Sequence, residues 1–242
     1  MESRFGVQAL PEYGLATCQI EKSMTTMRDA IFCYLADPKL FLQRKRTLQS
    51  EFWSTRFCGW ENYYTNISRL EAEKHRSFVK FAIIRDPVDR FLSGFVDKCL
   101  QEPDQFAREF RCLGCAEDLL CFAERLFHLL YRMALKREHI EREVWYVARH
   151  FAPQTWYCDF KTHLTDYTII KHHPGANNTQ LLAVSLDGIL ERVKVSPKNR
   201  RFIHKEITSK RIPEKLSVFP AIVKPPSSMG EILFRGQNSA RQ

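Results

Sequence analysis

The segment from Lys80 to Cys99 constrains the fold of this chain more than any other stretch of its sequence. It opens with an apolar run, passes through the polar triplet Arg85-Asp86-Pro87, and continues with apolar residues three or four positions apart. These spaced residues are Val88, Phe91, Leu92, Phe95, Val96 and Cys99. The pattern predicts a short buried strand, a sharp turn and an amphipathic helix.

The predicted turn carries signals for a helix start and for a ligand. Asp86 is in position to cap the helix, Pro87 suits its first turn, and Asp89 adds an acidic group there. Open α/β folds bind anions where the carboxyl end of a strand meets the start of a helix. Arg85 at that position either binds such an anion or is only a surface cation beside a cap, and spacing alone does not separate the two.

A second strand, loop and helix are predicted earlier in the chain. Gly14–Ile20 has the composition of a strand, residues 21–26 form a polar loop, and a helical apolar stripe follows. A lysine in a loop before a helix offers an anion a full charge, unpaired N–H groups and the positive end of the helix dipole. The loop contains no glycine, so it is not a Walker A loop.

The later segment resembles part of a known enzyme family. Arg85-Asp86-Pro87 followed by Arg90-Phe91-x-Ser93-x-Phe95 is similar to the 3′-phosphate-binding segment of Golgi carbohydrate sulfotransferases, in particular the chondroitin 4-sulfotransferase-like family with its nematode-type members. The donor in that family is 3′-phosphoadenosine 5′-phosphosulfate (PAPS). The resemblance implies that Arg85 and Ser93 hold the 3′-phosphate of PAPS.

The earlier segment, Cys18–Thr26, is similar to the 5′-phosphosulfate motif of the same family, with Glu21 where the family has proline. Sulfuryl transfer builds negative charge on the bridging oxygen, so a cation fixed there lowers the barrier more than it stabilises the bound donor. Lys22 is expected to be that cation. The residues assigned to the phosphosulfate are Lys22, Ser23, Thr25 and Thr26.

The acceptor hydroxyl needs a base, and His150 is the candidate. His150-Phe-Ala-Pro-Gln154 closes a predicted helix and resembles a His-aromatic-x-Pro motif of the family. A lone histidine is more often structural than catalytic, but a neutral imidazole near pH 7 can accept the proton of an attacking hydroxyl. We expect this role for His150, and the chemistry requires no metal.

The formal charge of +9 indicates an anionic partner, and nucleic acid, anionic lipid and acidic glycans all fit it. The resemblance favours an anionic glycosaminoglycan acceptor, N-acetylgalactosamine in chondroitin, and no nucleic acid. It also implies a Golgi membrane protein with a lumenal catalytic domain. No apolar run approaches the ~18 residues that span a bilayer, and we find no signal peptide, so we expect membrane attachment only through an anchor absent from this chain.

Cysteine usage favours the secretory pathway. The chain has eight cysteines. We expect disulfides among Cys99, Cys112, Cys115, Cys121 and Cys158 in preference to a zinc site, with unknown connectivity, and place Cys18 and Cys33 in the core. Sequons at Asn66 and Asn177 agree with that route.

The predicted architecture is α/β, with a central parallel sheet flanked by helices, because strand and helix patterns alternate along the chain. The resemblance makes this a P-loop-like sulfotransferase fold. We predict a lead-in over 1–13, the domain over 14–210, and a divergent tail over 211–242. A catalytically inactive basic protein that binds glycans or nucleic acid on the same fold stays open as an alternative, and a nucleotide kinase is disfavoured because the loop lacks glycine.

Overall fold

The structure is a computed structural model and describes residues 6–65, 67–135, 142–173 and 175–209. Its strands are β1 (Val7–Leu10), β2 (Leu15–Cys18), β3 (Tyr63–Tyr64), β4 (Val79–Arg85) and β5 (Tyr167–His172). Its α-helices are α1 (Thr25–Ala36), α2 (Pro38–Gln43), α3 (Ile67–Lys74), α4 (Pro87–Phe95), α5 (Gln105–Arg111), α6 (Leu119–Leu135), α7 (Arg142–Phe151), α8 (Phe160–His163), α9 (Ala176–Arg192) and α10 (Pro197–Thr208). Val96–Leu100 continue α4 as a π-helical turn. The predicted tail over 211–242 and the sequon residue Asn66 lie outside the described residues.

The described strands form one sheet in the order β3-β1-β2-β4-β5. β2, β4 and β5 are parallel, whereas β1 pairs antiparallel with both β2 and β3. The predicted α/β class is confirmed, but the sheet is mixed instead of parallel throughout. The cause is the short turn at residues 11–14, since so few residues can join antiparallel neighbours but cannot make a parallel crossover.

The first strand lies within the stretch that we assigned to a lead-in. All residues of Val7–Leu10 are buried, and the strand pairs on both of its edges. The lead-in is therefore shorter than residues 1–13. A strand this short and buried on both faces has no polar alternation by which to recognise it.

Helices and loops cover both faces of the sheet. Phe81 and Ile83 of β4 belong to a buried cluster with residues of α1, α9 and α10. Ala82, on the opposite face of β4, belongs to a second cluster with α3 and the segment around Tyr157. Burial on both faces is what the apolar composition of β4 predicts.

The strand, turn and helix predicted over Lys80–Cys99 are confirmed. The Asp86 side chain caps α4 by accepting hydrogen bonds from the N–H groups of Val88 (2.9 Å) and Asp89 (3.1 Å). One position departs from the predicted apolar face, because Val88 is 64% exposed.

All eight cysteines are within the described residues and are paired. The disulfides are Cys18–Cys158, Cys33–Cys58, Cys99–Cys112 and Cys115–Cys121. The preference for disulfides over zinc is confirmed. The placement of Cys18 and Cys33 in the core is confirmed, because both are buried. Each is also disulfide-bonded, to Cys158 and Cys58 respectively, so the expected set of disulfide cysteines was incomplete.

Candidate active site

Two predicted phosphate-binding segments follow neighbouring parallel strands. β2 leads into the loop before α1, and β4 leads into the Arg85-Asp86 turn before α4. The carboxyl ends of adjacent parallel strands meet at one edge of the sheet, and ligands of open α/β sheets bind outside that edge. The fold therefore brings the loop and the turn together.

The loop before α1 leaves polar groups without partners. Lys22 (φ 64°) and Met24 (φ 57°) adopt the left-handed conformation although neither is glycine, which is a strained arrangement typical of functional loops. No side chain in the described part of the chain caps the first turn of α1. The Ser23 side chain is fully buried, and its Oγ has no hydrogen-bond partner among the described residues. Uncapped amides and an unpaired hydroxyl are the donors that an anionic group would bind.

Thr25 and Thr26 begin α1 directly after this loop. Thr25 is half-buried and Thr26 is exposed. Their N–H groups belong to the first turn, where an α-helix supplies no internal acceptor.

Lys22 is already engaged by a carboxylate. Its Nζ lies 3.1 Å from Oδ2 of Asp97, which in turn lies 2.8 Å from Nζ of Lys98. Asp97 comes from the π-helical turn that follows α4. Burial lowers the pKa of Lys22, and the Asp97 charge offsets part of that effect. The carboxylate thus occupies the position that an anionic ligand of Lys22 would take.

Arg85 ends β4 and is held through its backbone. Its N–H donates to Oε1 of Gln154 (3.0 Å), and its carbonyl accepts from Nε2 of the same side chain (2.7 Å). The Arg85 Nε is buried and has no hydrogen-bond partner among the described residues. A buried, unpaired guanidinium nitrogen at this edge is suited to binding an anion.

Arg90 joins three parts of the site. This α4 residue is only 4% exposed. Its Nε donates to the carbonyl of Glu21 (2.7 Å), Nη1 to the carbonyl of Ala152 (2.8 Å), and Nη2 to the hydroxyl of Tyr157 (3.0 Å). The loop before Lys22 and the segment after His150 are therefore fixed to the same helix.

Ser93 lies on that helix one turn beyond Arg90 and is buried. The next residue, Gly94, allows α7 to approach closely, because a Cβ there would lie 2.5 Å from Cε1 of Phe151. Ser93 and His150, which precedes Phe151, are consequently carried by two helices in direct contact.

His150 is in the last turn of α7 and is buried. Its Nδ1 lies 2.7 Å from the carbonyl oxygen of Tyr146. Since a carbonyl can only accept, Nδ1 carries the proton, and Nε2 of the neutral ring keeps its lone pair. Burial lowers the pKa of His150 to about 4, so the ring is neutral at pH 7.

Glu21, the residue that departs from the family pattern, forms an ion pair with Arg149. The negative charge of Glu21 beside Lys22 is therefore compensated by Arg149, the residue before His150. Tyr157 also contacts a residue of this ion pair, because its hydroxyl donates to the carbonyl of Arg149. The Cys18–Cys158 disulfide joins the end of β2 to the residue after Tyr157.

The structure brings Lys22, Ser23, Thr25 and Thr26 to the same sheet edge as Arg85, and Arg90 connects that edge to the His150 segment. The structural roles of Arg90, Gln154 and Asp97 were not predicted from the sequence. Two of these had a signal, since Arg90 and Gln154 stand inside the motifs quoted above. Asp97 had none. Among the described residues no group of three histidine, cysteine or acidic side chains is arranged to hold a metal ion.

The sequence profile described as "Sulfotransferase family" matches residues 8–233. The chain belongs to the sulfotransferase family. It is 34% identical over 217 residues to "Putative sulfotransferase vep-2" of Caenorhabditis elegans, across 87% of this chain and 65% of that protein. It is 31% identical over 198 residues to "Carbohydrate sulfotransferase chst-1" of the same organism, across 81% of this chain and 59% of that protein. No solved structure matches the chain.

Membership of the sulfotransferase family agrees with the α/β sheet and its edge loop, which form the P-loop-like fold that we predicted. The chain spans 65% and 59% of the lengths of these two relatives. In the part of the chain that the structure describes, no helix is both long and apolar enough to cross a membrane.

Proposed function

We propose that this chain transfers the sulfuryl group of PAPS to a sugar hydroxyl, the 4-hydroxyl of N-acetylgalactosamine in chondroitin. The observation that carries the proposal is the convergence of Ser23 Oγ and Arg85 Nε with Lys22 at one sheet edge. Both of these atoms are buried, and neither has a hydrogen-bond partner within the described ranges. A donor with phosphate at one end and phosphosulfate at the other matches two separate anion-binding segments.

The donor is bound at both ends. Arg85 and Ser93 hold the 3′-phosphate, and the loop residues Ser23, Thr25 and Thr26 hold the phosphosulfate together with the amides of α1. The fit is supported by the lack of a side-chain cap on α1, which leaves its first N–H groups available. Lys22 exchanges Asp97 for the donor.

In the transfer step, the acceptor oxygen forms a bond to sulfur while the bond from sulfur to the bridging oxygen breaks. The electron pair of that bond stays on the 5′-phosphate, where Lys22 stabilises the developing charge. The hydroxyl proton moves to Nε2 of His150, which is the lone-pair nitrogen because Nδ1 donates to the Tyr146 carbonyl.

The acceptor and the compartment are proposed from the net charge, the name of one relative and the cysteines. The net charge of +9 suits an acidic glycan, and a carbohydrate is the substrate class in the name of one relative. The paired cysteines suit an oxidising compartment, and we place the enzyme in the Golgi lumen.

Calorimetric titration with 3′-phosphoadenosine 5′-phosphate (PAP) tests the donor site. The parent should bind one PAP per chain, and Arg85→Ala should lose binding, while Arg132→Ala, at an exposed position of α6, should not. A parent that ignores PAP but binds desulfated chondroitin in a salt-sensitive way would contradict the proposal and favour the inactive glycan-binding alternative.

Turnover tests the two catalytic roles. Lys22→Ala and His150→Ala should each reduce sulfate transfer by about 10²–10⁴-fold. Activity within about threefold of the parent in either variant would refute the corresponding role, since one such group is worth far more than that.

A further inference from the structure

His172 lies beside Arg85 at the carboxyl edge of the sheet. It is the last residue of β5, and the register of the parallel pair β4–β5 sets it opposite Arg85. Two positions earlier the same register pairs Ile83 with Ile170, and both of these side chains are in the core cluster between the sheet, α1 and α9. Because side chains alternate along a strand, Arg85 and His172 share that face.

Both side chains have a buried nitrogen without a partner. These atoms are Nε of Arg85 and Nδ1 of His172, and neither makes a hydrogen bond within the described residues. Buried polar atoms are nearly always hydrogen-bonded, and each exception calls for an explanation. Two exceptions side by side, at the edge where the donor site lies, are explained by one ligand that supplies acceptors to both.

The charges around His172 favour an anion. The groups that act on it are Arg85 from β4, Asp89 from α4 and its neighbour His173. Burial, reinforced by Arg85 and His173, lowers the pKa of His172 to about 4, whereas Asp89 acts in the opposite direction. Without a ligand the ring is therefore neutral at pH 7. A phosphate beside Arg85 would raise the pKa of His172, because an adjacent anion favours the protonated imidazolium form of the ring.

We propose that His172 is a further donor-binding residue, which contacts the 3′-phosphate together with Arg85 and takes up a proton when the nucleotide binds. The proposal rests on the proposed function, since it requires PAP to bind at Arg85. It assigns the end of β5 to the nucleotide site and gives donor affinity a pH dependence.

The sign of that dependence follows from linkage. If the bound state holds a proton that the free state lacks, affinity rises as pH falls. The 3′-phosphate can itself take up a proton in the same range, so the contribution of the ring is measured as a difference between the parent and a variant without the imidazole.

The test is calorimetric titration of PAP between pH 6 and 8, in two buffers of different ionisation enthalpy, with the parent, His172→Gln and His173→Gln. His173 is the matched control because it is the exposed next residue. The parent should take up more protons than His172→Gln, and their affinity ratio should grow as pH falls, by at most about tenfold per pH unit. His173→Gln should keep most of the proton uptake of the parent, because it removes only a charge effect smaller than those of burial and Arg85 and leaves the His172 ring in place. With adenosine 5′-phosphosulfate, which lacks the 3′-phosphate, the difference should disappear.

Equal proton uptake and equal affinity in the parent and His172→Gln would overturn the proposal while leaving the donor site intact. A difference that persists with adenosine 5′-phosphosulfate would also overturn it, because the partner would not be the 3′-phosphate. If the parent fails to bind PAP, the proposed function falls and this proposal falls with it. His172→Asn, whose amide nitrogen reproduces the position of Nδ1, serves as the second variant if the glutamine variant does not fold.

Discussion

Arg90→Lys tests whether one side chain holds the candidate active site together. Arg90 is 4% exposed and donates to two backbone carbonyls and one hydroxyl at 2.7, 2.8 and 3.0 Å. Lysine keeps the charge, but its single ammonium group cannot reproduce the planar fork that reaches all of these acceptors. We expect at least two of the hydrogen bonds to be lost.

The magnitude follows from these contacts. A hydrogen bond from a charged donor contributes about 1.5–3 kcal/mol, so losing two costs at least about 3 kcal/mol. For a domain of this size, each kcal/mol lowers the melting temperature by about 2–4 °C, which gives a fall of about 6–12 °C. Differential scanning fluorimetry and urea unfolding, both with the disulfides intact, measure the two quantities.

The control is Arg132→Lys at an exposed position of α6, which should change stability by less than about 0.5 kcal/mol. If Arg90→Lys melted within about 2 °C of the parent, the three contacts would not be stabilising the protein, and the assignment of Arg90 as the connection between the loop and the His150 segment would be refuted.

Three further predictions concern Asp97, His150 and the disulfides. Asp97→Asn should bind PAP more tightly in calorimetry, because Lys22 no longer has to leave a carboxylate to meet the donor. The pKa of His150 is about 4 in the folded protein and about 6.5 in the unfolded chain, so the unfolded state binds more protons between these values and stability falls as pH falls. His150→Gln should therefore reduce the stability loss from pH 7 to 4.5 by about 2 kcal/mol in urea titrations. Removing the Cys18–Cys158 disulfide should destabilise the chain more than removing Cys115–Cys121, by about 5 against about 2 kcal/mol in the chain-entropy treatment.

Each of these predictions has a contradicting result. Weaker PAP binding by Asp97→Asn would mean that the carboxylate positions Lys22 for the donor, and Asp187→Asn on α9 controls for the general effect of removing a negative charge. If the free energy of unfolding fell by the same amount with pH in the parent and in His150→Gln, folding would not lower the pKa of His150. Equal destabilisation by the two disulfide deletions would contradict the dependence on loop length.

Local signals in the sequence were sufficient for the strand, turn and helix that carry Arg85. The Asp86 cap, the proline after it and the apolar spacing all act within a few residues, so they can be recognised without knowledge of the fold. The burial of Arg90 and the exposure of Val88 could not be derived in this way. Both depend on what packs against α4, and the elements concerned lie more than 60 residues away in sequence.

The spacing of residue types in the sequence could not predict contacts between residues that are far apart along the chain. Cys18 looked like a core residue because strand burial and disulfide bonding both place a cysteine inside, and its partner is 140 residues away. The contact between Lys22 and Asp97 was hidden for a similar reason, since a lone acidic residue after a helix is ordinary in sequence. The relation of Arg85 to His172 depends on the β4–β5 register, which only the folded sheet defines.

The most direct test of the central claim is the transfer of radiolabelled sulfate from PAPS to a panel of desulfated glycans by the purified chain. We predict incorporation into chondroitin at the 4-hydroxyl of N-acetylgalactosamine, with loss of that incorporation in Lys22→Ala. Absence of label from every glycan, with a parent that is folded and binds PAP, would contradict the account of this edge of the sheet as a catalytic site.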